Sequence, residues 1–262
     1  MALGEYLTGN TYLFVLIMAR YLGLFIITPI LGSRQVLKRV KVGLSLFMAL
    51  ITFFTVRGQV MLGFPDRGII VALDLIRELS IGLIIGFIVF LIFASLQLAG
   101  QFIDHRMGFM MANVVDPMYG GEVPLVGQFK NILAVLVFLI INGHHILIRQ
   151  LYTTFEIISP GEAAISGRGW ELLTRISGDI FLIAFRIALP IVGTIFLADV
   201  ILGFLVRTVP QLNIFIIGFP MKIILGFIIF MVAVGSIINY FPAIFEEMFK
   251  NIMRMIHFMS GG

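Results

Sequence analysis

The chain has no cysteine, a single tryptophan and few charges for its length. Without cysteine there is no disulfide frame, no thiol nucleophile and no thiolate-bound metal. Charged residues fill 12% of the 262 positions, about half the share of an ordinary soluble domain. The net charge of +4 is spread out, with no basic stripe of the kind nucleic acid requires. No P-loop, dinucleotide glycine fingerprint, H-E-x-x-H pair or G-x-S-x-G serine elbow occurs. His144 and His145 are neighbours that diverge on a helix, and neither has a carboxylate at i+3 or i+4, so a metal site lacks ligands. The chain is not expected to be an enzyme, and no cofactor or metal is expected.

What the sequence has instead is oil. Hydrophobic residues make up 60% of it and the mean hydropathy is +1.10, the composition of an integral membrane protein. The N-terminus, MALGEYLTGN, has no basic region and no small-residue cleavage site, so the first apolar helix is expected to be retained. Apolar runs cover about residues 6–31, 42–56, 68–103, 131–148, 171–206 and 223–240. Hydropathy alone therefore reads as six spans in an all-α fold. Arg34, Lys38, Arg39 and Lys41 form a basic loop that should face the cytoplasm. Residues 63–66 and 207–222 read as breaks, and 159–170 as a plain exposed loop. The third run would be on the order of 50 Å long against a hydrocarbon core of ~30 Å, so it must protrude, tilt or break. Gly82 and Gly86 within it form a small-xxx-small pair suited to close helix packing. A kink is expected at Pro190, and residues 243–259 read as an amphipathic C-terminal helix.

Several charges interrupt the oil: Arg20, Asp74, Arg77, Glu78, Arg186, Asp199, Arg207 and Lys222. Each costs ~2.5–3.5 kcal/mol at a bilayer centre on the insertion scale. They should face protein, a pore or another subunit, unless they snorkel at helix ends. Asp74, Arg77 and Glu78 share one helical face, as do Asp179 and Arg186. Structural ion pairs fit better than a proton relay, because no ladder of Asp, Glu and His runs through one segment.

The most unusual stretch is residues 100–124, GQFIDHRMGFMMANVVDPMYGGEVP. Asp116-Pro117 and Gly120-Gly121 end helices, while Met107, Met110, Met111 and Met118 crowd together. Irregular backbone at membrane depth is tolerated only when buried in protein or lining a wet cavity. The segment is thus either a solvent loop or a re-entrant piece of an assembly. Its methionines are either core filler or a conforming seal across a passage, since a hydrophobic constriction blocks ions by dewetting.

Three motifs together resemble the FliR family, called SctT in injectisomes, of the type III secretion export gate. They are Ile103-Asp104 with Met107-Gly108-Phe109 and Asp116-Pro117, then Asn142-Gly143-His144, then Arg207-Thr208-Val209-Pro210-Gln211-Leu212-Asn213-Ile214-Phe215 continuing to Gly218-Phe219-Pro220-Met221-Lys222. Arg20 with Pro29 and Gly32 fits as well. The resemblance spans essentially the whole chain. It implies a single export-gate domain, residues 1–262, of kinked helical hairpins like a FliP-like and a FliQ-like subunit fused in one chain. One such subunit would assemble with several FliP-like and FliQ-like copies into a closed channel for unfolded export substrates. FlhA-like and FlhB-like proteins would surround it at the bacterial inner membrane, in a flagellar basal body or injectisome base. The loop 104–124 would be a plug that includes Met107, with Phe109, Met110, Met111, Val114, Val115 and Met118 against the wall. Gly108, Asp116, Pro117, Gly120 and Gly121 belong to the same loop, its glycines and proline letting the backbone turn. Arg207, Gln211, Asn213 and Lys222 carry over as assembly or helix-break positions. The alternative, a secondary transporter of a small solute, wants matching broken helices in two halves, and the halves here do not visibly correspond.

Overall fold

A computed structural model describes residues 3–30, 32, 36–58, 63–65, 67–109, 124–208 and 214–260. Among the described residues there are seven α-helices and no strand. They are α1 (Leu3–Ile27), α2 (Lys38–Val56), α3 (Gly68–Met107), α4 (Leu125–Ile140), α5 (Gly143–Ile157), α6 (Gly167–Thr208) and α7 (Ile214–Met259). Five are long and apolar enough to cross a membrane, or six if α4 and α5 count as one interrupted span. At a 1.5 Å rise per residue α3, α6 and α7 run to about 60, 63 and 69 Å, roughly twice the ~30 Å of hydrocarbon.

The chain divides into two compact units. Unit 1 comprises Met1–Leu91, Asn142–Ser177 and Glu246–Gly262, and unit 2 comprises Ile92–Ile141 and Gly178–Phe245. In unit 1, α1 and α3 meet backbone to backbone. A Cβ on Gly82 would lie 2.0 Å from the carbonyl oxygen of Arg20, and one on Gly23 would lie 2.4 Å from that of Leu79. Only residues without a side chain allow this approach. At Gly86 the approach is looser, a Cβ there lying 3.0 Å from the Ile27 side chain and 3.1 Å from the Leu24 carbonyl oxygen. Tyr21 closes the same core, hydrogen-bonded to Thr52 at 2.8 Å and stacked on Phe155. Met248, Ile252, Met255 and Ile256 at the end of α7 are buried here. In unit 2, Phe93, Phe138 and Phe245 form a three-ring cluster with centroids 5.3–5.8 Å apart.

The helix ends differ from the sequence expectation in four places. The fourth apolar run is two helices, because Asn142 adopts a left-handed conformation (φ 56°) and Gly143 starts a new one; asparagine is among the few residues that accept that region. The basic loop is partly helix: Lys38, Arg39 and Lys41 lie in the first turn of α2, with Lys41 Nζ donating to the Gly32 carbonyl at 2.7 Å. The break expected over 207–222 is narrower, since α6 continues through Thr208 and α7 begins at Ile214, making Pro220 and Lys222 helical. Proline removes one intrahelical bond there, but in an apolar sequence the remaining backbone groups have no better partner than the helix. Finally, 159–170 is not a plain exposed loop. Its Gly161 is tied to charged side chains of α3, as described next.

Candidate functional site

Unit 1 holds a buried charged network in a largely apolar core. Arg20, fully buried on α1, donates from Nε to Glu78 Oε2 at 2.6 Å and from Nη2 to Oε1 at 3.0 Å. Its Nη1 donates to Thr154 Oγ1 at 2.7 Å, and its guanidinium lies 4.0 Å over the Phe155 ring. Glu78 Oε1 also accepts the backbone N–H of Gly161 at 2.8 Å. One turn away, Asp74 accepts from the Tyr12 hydroxyl at 2.6 Å and pairs with Arg77 at 3.1 Å. Arg77 in turn donates to the Gly161 carbonyl at 2.9 Å. Gly161 sits at φ +86°, a conformation that glycine reaches at no steric cost, and so offers both its N–H and its C=O to α3. A forked guanidinium on a carboxylate is the strongest and most directional arrangement for such a pair. The network locks α1, α3, α5 and the following loop together.

Unit 2 holds the two roots of the mid-chain segment. α3 continues through Met107 and is stopped by Gly108 at φ +85°. Met107 packs directly on Gly226 of α7, where a Cβ would meet its side chain at 2.7 Å. Gly108 lies under the Phe219 ring, and the Phe109 ring meets Phe227 edge-on at 5.7 Å. On the returning side α4 has Pro124 at its N-cap, a residue with no capping oxygen. Asp104 of α3 supplies the cap instead, accepting the N–H groups of Val126 and Gly127 at 3.1 Å each. These are two of the helix's orphan donors. Gly100 and Gly127 touch backbone to backbone beside this cap. Lys130, on the same helix, is fully buried, and among the described residues its Nζ has no hydrogen-bond partner.

The remaining charges named from the sequence fall in different settings. Lys222 and Asp199 form an ion pair between α7 and α6, with Lys222 also 5.8 Å from the Phe219 ring centroid. Arg207 is exposed in the last turn of α6, where a cation suits the helix dipole. Arg186 is exposed near the middle of α6 and takes part in none of the ion pairs among the described residues. Met110, Met111, Val114, Val115, Asp116, Pro117, Met118, Gly120, Gly121, Gln211 and Asn213 lie outside the described residues. Sequence reasoning missed Tyr12, Thr154, Gly161 and Lys130. Only Lys130 carried a visible signal, as a cation flanking an apolar run.

Residues 11–248 match the sequence profile of a family described as bacterial export proteins, family 1. The chain belongs to this family. It is 35% identical over 251 residues to the flagellar biosynthetic protein FliR of Bacillus subtilis, covering 93% of this chain and 95% of the relative. It is 32% identical over 247 residues to FliR of Escherichia coli, covering 94% and 93%. FliR of Pectobacterium carotovorum is 30% identical over 237 residues, covering 90% and 88%. The chain is thus a membrane component of the flagellar export apparatus.

Proposed function

We propose that the chain is a structural pore subunit of the export gate. It assembles with FliP-like and FliQ-like subunits at the inner membrane into a channel for unfolded proteins, flanked by FlhA-like and FlhB-like partners. In this reading residues 1–262 act as one export-gate domain whose fold corresponds to a FliP-like and a FliQ-like hairpin unit joined in one chain. The segment between Phe109 and Pro124 is the plug. What carries the reading is that both roots of that segment are fastened at one place: Asp104 grips the start of α4, and Met107 to Phe109 are held against α7. An anchored base would hold a methionine-rich segment at one place across a passage, where such side chains can seal it. Helices twice the thickness of the hydrocarbon further support a chain whose apolar surface meets protein as well as lipid.

The test is co-purification. Expressed alone the chain should be unstable in mild detergent. Expressed with FliP-like and FliQ-like subunits, it should be recovered as one copy in a larger particle by native mass measurement. A well-behaved lone monomer that ignores those subunits would count against the proposal.

A further inference from the structure

Three charge pairs inside the apolar helices close within the chain, and among the described residues Arg186, exposed on α6, belongs to none of them. Arg20 pairs with Glu78, Arg77 with Asp74 and Lys222 with Asp199. Arg186 has no such partner among the described residues, and Asp179, seven residues earlier on the same face, has none either.

Arg186 lies clear of the apolar layer only where that layer begins after it, at residues 187–206 or beyond, with Asp199 inside. Between it and Asp199 lie the twelve uncharged residues 187–198, about 18 Å of helix, whereas spanning takes ~20 residues. Upstream, Arg168, Glu171, Arg175 and Asp179 crowd the start of α6. Any 20-residue window of α6 therefore contains Arg186 or the already neutralised Asp199. Around Arg186 the face is apolar and open: Leu182 is 48% exposed, Phe185 52% and Leu189 49%. A guanidinium set among exposed leucine and phenylalanine is strongly disfavoured against lipid tails. Arginine ringed by apolar contacts is, however, a typical anchor of a protein interface.

We infer that this face of α6 is an interface for an apolar helix of another subunit that presents an Asp or Glu to Arg186. This rests on the multi-subunit reading above and adds the chemistry by which one neighbour is selected. A forked guanidinium–carboxylate pair fixes both the depth and the rotation of two otherwise featureless helices.

The experiment uses the full chain co-expressed with its export subunits, with a photo-crosslinking amino acid at Leu182 or Leu189. The expected adduct is to one partner helix, within about a turn of an acidic residue. Arg186→Glu should lower the yield of assembled particle about tenfold or more, and changing that acid to arginine should restore it. Because Arg186 is exposed, Arg186→Glu should leave the amount of lone chain unchanged; where it does not, rescue by the reciprocal change still decides the matter. Adducts to lipid only, or normal assembly of Arg186→Glu with intact partners, would overturn the inference while leaving the export-gate reading standing. Failure of the unaltered chain to assemble with any export subunit would sink both.

Discussion

The Asp104 carboxylate accepts the backbone N–H of Gly127 at 3.1 Å, and its other oxygen accepts that of Val126. A helix that begins with proline at its cap is thus capped by a residue 20 positions upstream of that proline. Lys130, fully buried, stands one turn along the same helix from those two N–H groups. Removing the Asp104 carboxylate leaves two orphan donors and an uncompensated cation. Asp104→Ala should destabilise the chain by about 3 kcal/mol or more, read as a fall in melting temperature in detergent. Lys130→Met added to it should recover part of that loss, because a neutral side chain of similar length removes the stranded charge. If the double variant is no better than Asp104→Ala alone, the electrostatic half of this account is wrong.

Arg20 and Glu78 stand 58 positions apart in sequence and are both fully buried. Breaking one side of such a pair typically costs ~3–5 kcal/mol, far more than removing both. Arg20→Lys should be nearly as harmful as Arg20→Met, since one ammonium cannot reach both Glu78 oxygens and Thr154 in a planar fork. Thermal unfolding of the purified particle would show it. A lysine variant with unchanged melting temperature would mean that the fork geometry contributes little.

Gly82 and Gly43 make a matched comparison. Each lies inside a helix, yet a Cβ on Gly82 collides with the backbone of α1, while one on Gly43 meets nothing within 4 Å. Gly82→Ala should abolish accumulation of folded chain. Gly43→Ala should be neutral or stabilise by about 0.5–1 kcal/mol through helix propensity. Equal behaviour of the two variants would contradict the close α1–α3 packing.

Much of this was legible in advance. Long apolar runs with isolated charges declared a helical membrane protein, and Gly82 and Gly86 marked a close-packing face. Partner choice was not legible. Nothing local links Arg20 to Glu78 rather than to Asp74, or reveals that the Gly161 backbone supplies the last hydrogen bonds. Local rules also overcalled the breaks. Pro220 and Pro242 both lie inside α7, because in an apolar setting losing one bond is cheaper than unravelling a turn. Asn142 shows the reverse: a break inside an apolar run, made by a residue tolerant of left-handed backbone.

Deletion of residues 110–118 removes most of the methionine-rich segment while keeping the Asp104 cap and the Phe109–Phe227 contact. Particles carrying the deletion should assemble in normal amounts and leak small ions in planar bilayers. Tight particles with the segment gone would show that the seal lies elsewhere.

Exported protein is expected to pass directly along this segment. The natural absence of cysteine makes the test clean. Met111→Cys would be introduced as the sole thiol of this chain in an assembled gate whose other subunits carry no cysteine, alongside an export substrate that stalls in transit and carries one cysteine of its own. We predict a disulfide between them under mild oxidation, and none from Phe47→Cys on the exposed face of α2. A Met111→Cys thiol that never captures the stalled substrate, and that a bulky external reagent labels equally with or without it, would contradict the central claim.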